Sequence, residues 1–312
     1  MCKPKRCVNL SAPKAVKSRS LPFCHEIFSY FRNEEAAIQF CFDKGIFNVP
    51  DNCPKCGEGS MKYREGRKTF QCSKKHCRKE ISICKGTFFE MSKVSIDLIL
   101  KLAYFWLSEA NWTRIQTYLP ISGVGVTDFF GYFRQLTIDN INTAEELIGG
   151  PGIVVEIDES KFAKRKYHRG KKCGDGSWIF GGVERTDSRR FFAVPVMKRD
   201  AETLLPIIQA FIHPQSIIMS DKWSAYNNIS KLEEGYDHQT VNHSKNFVDP
   251  LTGACTNRIE CKWSKLKQKI PKRRYSYEKV GDEILVQVWR HQNKDNLWNA
   301  FIEALKVTVY VK

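Results

Sequence analysis

No run of about 18 apolar residues occurs in the 312-residue chain, so no membrane-spanning helix is expected. The first twenty residues also lack the apolar stretch of a secretory signal. They carry Lys3, Lys5, Arg6, Lys14, Lys17 and Arg19 among Pro and Ser, and read as a flexible basic tail. That points away from an oxidising compartment and leaves twelve cysteines to be explained by something other than disulfides. Acidic residues are comparatively scarce: 34 Asp and Glu face 50 Lys and Arg, a net charge of +16. Such a balance calls for a polyanionic partner, most simply nucleic acid, although an anionic membrane surface obeys the same charge logic. No internal repeat is present. With 42% hydrophobic and 12% aromatic residues, the chain is not a disordered one. Its length suggests more than one domain.

Nine of the twelve cysteines precede position 85, and they are not scattered at random. Cys53-Pro54-Lys55-Cys56 is a Cys-x2-Cys knuckle, and Cys72 and Cys77 follow after a loop of ribbon length. Four thiolates so spaced offer Zn²⁺ a closed tetrahedral shell. Residues 50–90 are polar, with one strand-like run over 68–72, too little to make a core unaided; the metal would replace that core. The second pair is Cys-x4-Cys, and His76 is an alternative to Cys77. The competing reading is four free thiols. Cys84, Cys173, Cys255 and Cys261 have no paired spacing and read as ordinary thiols. With all four ligands drawn from protein, the zinc would be structural. The surrounding Lys55, Lys62, Arg64, Arg67, Lys68, Lys74, Lys75, Arg78 and Lys79 suit phosphate contact, or are simply a solvated surface.

Elsewhere the patterning changes by segment. Two short helices are expected between Cys24 and Phe47. Three more follow: 96–108, apolar nearly all round and so buried; 112–118; and one from a cap at Thr127 to about Ile141, after a turn at Pro120, Gly123 and Gly125. Arg134 is the only basic residue of that last helix, which is poor for reading DNA. The alternative is a packing domain. The Gly-rich stretch at 149–152 marks a boundary, after which strands are expected at 153–157, 178–184, 190–196, 216–220 and 238–241, with a helix from a cap at Asp200 to Phe211. A basic helix over 258–268 and a Trp-containing helical tail from Tyr277 complete the chain. The resulting division is 1–48, basic tail and short helices; 49–90, ribbon; 91–148, helical domain; 149–276, α/β domain; and 277–312, helical tail.

In the α/β segment Asp158 ends the first expected strand and Asp221 the fourth, where side chains project toward a ligand-binding crevice. Glu260 shares one face of the basic helix with Ser264 and Lys267, while Ile259, Trp263, Leu266 and Ile270 form its apolar seam. Three carboxylates from separate elements suit two Mg²⁺ ions clamping an in-line phosphoryl displacement. Each has a plainer reading. Asp221 can be a helix N-cap, Glu260 the third-position Glu of a capping box begun by Asn257, and Asp158 a turn residue, with Glu156 or Glu159 in its place.

These segments resemble a known family. Val155-Glu156-Ile157-Asp158-Glu159-Ser160 is similar to the first-Asp strand of DDE transposases of the Merlin superfamily and related bacterial insertion sequences. Ser220-Asp221-Lys222-Trp223-Ser224-Ala225-Tyr226 resembles their second-Asp segment. The third and longest match is Asn242-His243-Ser244-Lys245-Asn246-Phe247-Val248-Asp249-Pro250, then Thr256-Asn257-Arg258-Ile259-Glu260, Trp263 and Lys267. The ribbon, the Gly86-Thr87-Phe88 stretch and the helical segment stand in the family's order, so the resemblance runs from about Cys24 to the tail.

The resemblance implies an RNase H-like mixed α/β sheet preceded by a zinc ribbon and an all-helical, helix-turn-helix-like domain. It implies Asp158, Asp221 and Glu260 as catalytic ligands of Mg²⁺ or Mn²⁺, and Cys53, Cys56, Cys72 and Cys77 as ligands of structural Zn²⁺. The implied reaction frees a 3′ hydroxyl at transposon ends and joins it to target DNA. Partners would be double-stranded DNA (terminal inverted repeats and target) and at least a second copy of the chain, with no membrane. Cys255 stands where the family usually carries His. Two other functions fit the same features: a host-captured, DNA-binding derivative without transposition activity, and an RNase H-like nuclease without strand transfer. Lys3-Pro4-Lys5-Arg6 and Pro271-Lys272-Arg273-Arg274 resemble nuclear-import signals, so a nuclear location is expected in a eukaryote and a cytoplasmic one in a bacterium.

Overall fold

The computed structural model describes residues 20–143, 147–162, 176–241 and 255–308. The basic tail with Lys3-Pro4-Lys5-Arg6, Cys173 and the motif at 242–250 lie outside the described residues. The chain forms two compact units. The first is Met1–Phe130 with Asn293–Lys312, and the second is Gly131–Gln292.

The first unit contains α1 (Cys24–Tyr30), α2 (Glu34–Asp43), a three-stranded antiparallel sheet of β1 (Met61–Arg64), β2 (Thr69–Cys72) and β3 (Glu80–Ser82), then α3 (Ile96–Leu107) and α4 (Trp112–Tyr118). Asn33 caps α2 by accepting from the Ala36 amide, and Asn111 caps α4 through Thr113. Helix α3 is buried along its length, as its apolar sequence requires; its one acid, Asp97, pairs with Lys101 at 2.8 Å. The core is largely aromatic. Phe28 meets Tyr104 edge-on at 5.4 Å, Phe31 meets both Phe40 and Trp298, and Trp106 meets Phe301 of the C-terminal helix Leu297–Val307. A fully buried ring such as Phe31 or Phe301 contributes about 1.5–3 kcal/mol. The three-stranded sheet shares in this core. Phe42 of α2 lies 5.0 Å from Tyr63 and 6.1 Å from Phe70, ring to ring, so part of the apolar support that residues 50–90 lack comes from a neighbouring helix.

Helix α5 (Gly123–Ile138) starts four residues before the expected cap. The hydroxyl of Ser122 accepts from the Gly125 amide at its start, while Thr127 bonds back to the Gly123 carbonyl from inside the helix. Gly123 and Gly125 therefore belong to the helix rather than to a turn; a local serine bond outweighs the low helix propensity of glycine.

The second unit is a five-stranded mixed sheet: β4 (Val154–Phe162), β5 (Ser177–Glu184), β6 (Phe191–Val196), β7 (Ile217–Asp221) and β8 (Asp237–Val241), in the order β6-β5-β4-β7-β8. The first three strands in sequence pair antiparallel; β7 joins β4 in parallel, and β8 joins β7 in parallel. This order and polarity are those of an RNase H-like sheet. Helix α6 (Ala201–Phe211), capped by Asp200 through Thr203, covers one face with Leu204 and Ile208 against Val155, Ile157, Phe180 and Ile218. Helices α7 (Asn257–Lys269) and α8 (Tyr277–Gln292) cover the other, where Ile259, Trp263, Leu266, Ile270, Val280 and Ile284 pack on Phe162, Ile179, Val183 and Phe191. The apolar seam expected for the basic helix is the one observed. The strands fall within about two residues of expectation except for β4. That strand runs on to Phe162, so Asp158 lies inside it, opposite Gly181, rather than at its end.

Glu184 anchors the end of β5, an interior strand of this sheet. Burial pushes its carboxyl up, but hydrogen bonds from Thr186, Arg190, Ser188 and the Gly149 amide outweigh that and hold it at about 2. Gly149 has φ of 85°, and a Cβ there would sit 2.5 Å from the Ser216 hydroxyl, so the Gly-rich boundary is required by both conformation and space.

Candidate functional site

In the first unit, Cys53, Cys56, Cys72 and Cys77 converge. Their sulfurs all lie within 4.8 Å of one another, with Cys53–Cys77 and Cys56–Cys72 each at 3.7 Å. A tetrahedron with metal–sulfur bonds of about 2.3 Å has sulfur–sulfur edges of about 3.8 Å, so the cage has the size of a zinc thiolate site. Local backbone builds it. Cys53 donates its amide to the Gly59 carbonyl, Gly57 returns a bond to the Cys53 carbonyl with φ of 69°, and the Lys55 amide points at the Cys53 sulfur at 3.4 Å. A Cβ on Gly59 would collide with the Cys72 sulfur. Burial opposes ionisation of Cys53, yet the amides of Cys56 and Lys55 and the neighbouring thiols pull it down to about 6. Burial pushes Cys72 up to about 12. Cys77, not His76, is the fourth member; His76 is exposed. Lys55, Lys62, Lys74, Lys75, Arg78 and Lys79 are exposed around the cage.

In the second unit, β4 and β7 bring Asp158 and Asp221 together. Their register pairs Glu156 with Met219, and two residues further along each strand stand Asp158 and Asp221, level and on one face. Burial first, then the adjacent Glu159 and then Asp221, raise the Asp158 carboxyl to about 7, although Trp263 Nε1 donates to its Oδ2 at 3.0 Å. Glu159 is also raised, by burial and by Asp221, against a 2.6 Å bond from the Tyr226 hydroxyl and the pull of Arg199. Asp221 Oδ1 accepts the Trp223 amide at 2.9 Å, a turn contact that leaves it short of capping a full helix, since only a 3₁₀ turn follows. Asp158, Glu159 and Asp221 thus form a cluster of mutually repelling carboxylates.

Glu260 is exposed on the first turn of α7, its Oε1 accepting from the Thr256 hydroxyl at 3.2 Å. Among the described residues the cysteines are the group of three or more metal-ligating side chains whose donor atoms all come within 4.8 Å; the three carboxylates do not close to that degree. The capping-box reading of Glu260 is corrected, because Thr256 occupies the N-cap and Asn257 is already helical.

The cap of α7 comes from elsewhere. Fully buried Glu156 accepts the Arg258 amide at 2.7 Å and the Ile259 amide at 3.2 Å with Oε2, and pairs through Oε1 with Arg185 at 2.6 Å. Arg185 reaches on to the carbonyl and sulfur of Cys255. An anion at a helix N-terminus meets both orphan amides and the positive end of the dipole. Alternate residues of β4 thus grip successive turns of α7: Glu156 its first amides, Asp158 Trp263, and Ser160 Lys267 at 2.7 Å. Gly181 completes the arrangement, since a Cβ there would come 2.8 Å from the Trp263 ring and 2.5 Å from the Phe192 carbonyl. The period-2 alternation puts Glu156, Asp158 and Ser160 on one face of β4 and Glu159 on the other, a signal that sets Glu159 apart but does not tell Glu156 from Asp158; Gly181 and Arg185 carry no such signal.

Residues 144–275 match the family described as the ISXO2-like transposase domain, and over that segment the resemblance to DDE transposases is met. No curated protein matches the chain. A chain in a simian T-cell lymphotropic virus intasome in complex with PP2A regulatory subunit B56 gamma is 12% identical with a TM-score of 0.26, covering 66% of this chain and 64% of that one. A chain of a pre-cleavage Mos1 transpososome is 8% identical with a TM-score of 0.20, covering 69% of this chain and 80% of that one. The chain thus spans about 64% of the length of the intasome chain it resembles. No described helix is long and apolar enough to cross a membrane.

Proposed function

We propose that this chain, whose residues 144–275 match an ISXO2-like transposase domain, is a DNA transposase that cuts transposon ends and transfers them into target DNA, with Asp158, Asp221 and Glu260 as its catalytic carboxylates. The observation that carries the reading is the pairing of Asp158 with Asp221 on adjacent parallel strands, beside the helix that bears Glu260. The donor set suits a hard divalent cation: oxygen ligands only, crowded enough to push one carboxyl to about 7. Bound Mg²⁺ or Mn²⁺ would supply Lewis-acid stabilisation of the attacking and leaving oxygens. The protein's part is positioning. Trp263 orients Asp158, the Trp223 amide orients Asp221, and Glu156 holds the turn of α7 from which Glu260 projects. Glu260, exposed on the first turn of α7, would be the third carboxylate to hold the cation.

Cys53, Cys56, Cys72 and Cys77 are assigned to a structural Zn²⁺, and the exposed lysines and arginines about them to the DNA backbone. The five segments read from the sequence are kept as functional divisions, with ends bound by at least two copies of the chain. The location is nuclear in a eukaryotic host and cytoplasmic in a bacterial one.

The test is strand cleavage in Mg²⁺ on DNA carrying the element's ends. Asp158→Asn, Asp221→Asn and Glu260→Gln are each expected to lower cleavage by more than about a hundredfold, the worth of several kcal/mol of charge stabilisation, while DNA binding persists. Near wild-type cleavage by the Glu260→Gln protein overturns the third assignment.

A further inference from the structure

Beside the carboxylates the second unit presents a row of alternating cations and indoles. The guanidinium of Arg199 lies 3.8 Å from the centre of the Trp178 ring and 5.3 Å from that of Trp223, between the two. Lys161 stands 5.6 Å from the Trp178 ring. Trp223 Nε1 donates to the Arg199 carbonyl at 3.2 Å, which fixes the plane of the indole. Despite that anchoring, 41% of Trp223 is exposed, and its ring borders a shallow depression of about 500 Å³ lined by Arg199, Asp200, Ala201, Ser224 and Ala225. Asp200, the acid of this lining, is committed to Thr203 as the cap of α6. Lys198 and Lys222 are exposed on either side in sequence.

The row is joined to the carboxylates at two points. The Trp223 amide binds Asp221, and the charge of Arg199 is felt by Glu159. A large apolar ring that is rigidly oriented, open to solvent and backed by a guanidinium is poor packing but a good stacking surface. Every nucleobase has a π-face, and base–indole stacking with a cation behind it is sequence-tolerant. The neighbouring lysines provide for the phosphates that flank such a base.

We propose that Trp178, Arg199 and Trp223 form a platform that receives one unstacked DNA base beside the phosphate presented to Asp158 and Asp221. Trp223 supplies the exposed face, Arg199 stiffens and polarises it, and Trp178 holds Arg199 from behind. This placement rests on reading those aspartates as the reacting centre, but the binding itself is tested apart from cleavage.

The experiment uses the full chain and two DNA duplexes, one fully paired and one carrying a single bulged 2-aminopurine. The protein is expected to bind the bulged duplex about tenfold more tightly and to quench its 2-aminopurine fluorescence by stacking. Trp223→Leu keeps apolar bulk without a π-face. It is expected to lose both the preference and the quenching, while affinity for the paired duplex and its salt dependence stay unchanged. Trp223→Phe, which keeps a smaller π-face, should recover part of both, and Arg199→Gln should weaken both. Equal preference and quenching by the wild-type and Trp223→Leu proteins overturn the platform, as does loss of paired-duplex affinity in step with the bulged one. Full cleavage by the Asp158→Asn and Asp221→Asn proteins would defeat the reading of those aspartates as the reacting centre and leave this outcome untouched.

Discussion

The chain holds two clusters of side chains of the metal-ligating type, and they are built in opposite ways. The cysteines come from a contiguous ribbon, sit with all sulfurs inside 4.8 Å, and have their amides already aimed at them. The carboxylates come from two strands and a helix widely separated in sequence; two stand together and the third faces solvent. A cation that holds a fold together wants a cage finished by the fold itself. One that handles substrate wants a site left partly open, completed when the substrate arrives.

Removing the zinc proposed for the cysteines is the most severe way to break this contrast. Chelation, or Cys56→Ser, is expected to unfold the ribbon, because structural zinc sites contribute on the order of 10 kcal/mol to small domains. Loss of the β-sheet signal from residues 61–82 in NMR spectra, with helical signals kept, is the expected readout. Phe42 of α2 limits the damage from spreading the other way, since it packs on Tyr63 and Phe70 without any metal. The carboxylates should behave in reverse. Asp158→Asn removes one of several crowded negative charges, so the metal-free protein should melt no lower than wild type even though cleavage is gone. A clear fall in melting temperature would show that the site is structural after all.

Glu156→Gln sharpens the distinction within one strand. Breaking its buried pair with Arg185 should cost about 3–5 kcal/mol of stability, measured by urea unfolding of the second unit. Asp158→Asn, two residues away, costs none. The smallest effect concerns Glu184. Its carboxyl is held at about 2 in the folded protein against an ordinary 4.5, so the unfolded chain takes up the proton first as pH falls. The stability it contributes is full above pH 4.5 and is lost between there and about pH 2. Glu184→Gln should flatten the acid limb of the stability curve in that window.

Much of this was legible in the residues. The strands of the second unit announce themselves by runs such as Ile217-Ile218-Met219 between turn signals, and the α7 seam by its helical period. The cysteine cage is legible because its spacing is local. What was hidden depends on pairs distant in sequence. Nothing around Glu156 says that its partners are the amides of residues 258 and 259, and nothing around Phe42 says that it supplies the ribbon with part of a core. The β4 extension was missed because Glu159 and Lys161 break the apolar run, although both faces of the strand are occupied. Trp223 stood in a quoted motif, but its partner Arg199 is 24 residues earlier and gives no local sign.

The buried carboxylate at the head of α7 also orders events during folding. A helix of 13 residues with Arg258 at its positive end is marginal in water, and its first amides find their acceptor only once β4 is in place. An isolated peptide of residues 255–270 is accordingly expected to show little helical circular dichroism; a strongly helical peptide would contradict this. If the helix waits for the sheet, Glu260 is presented only by a molecule that has finished folding. A half-folded chain, though it already carries the three carboxylates proposed as catalytic, is thereby kept from bringing them together.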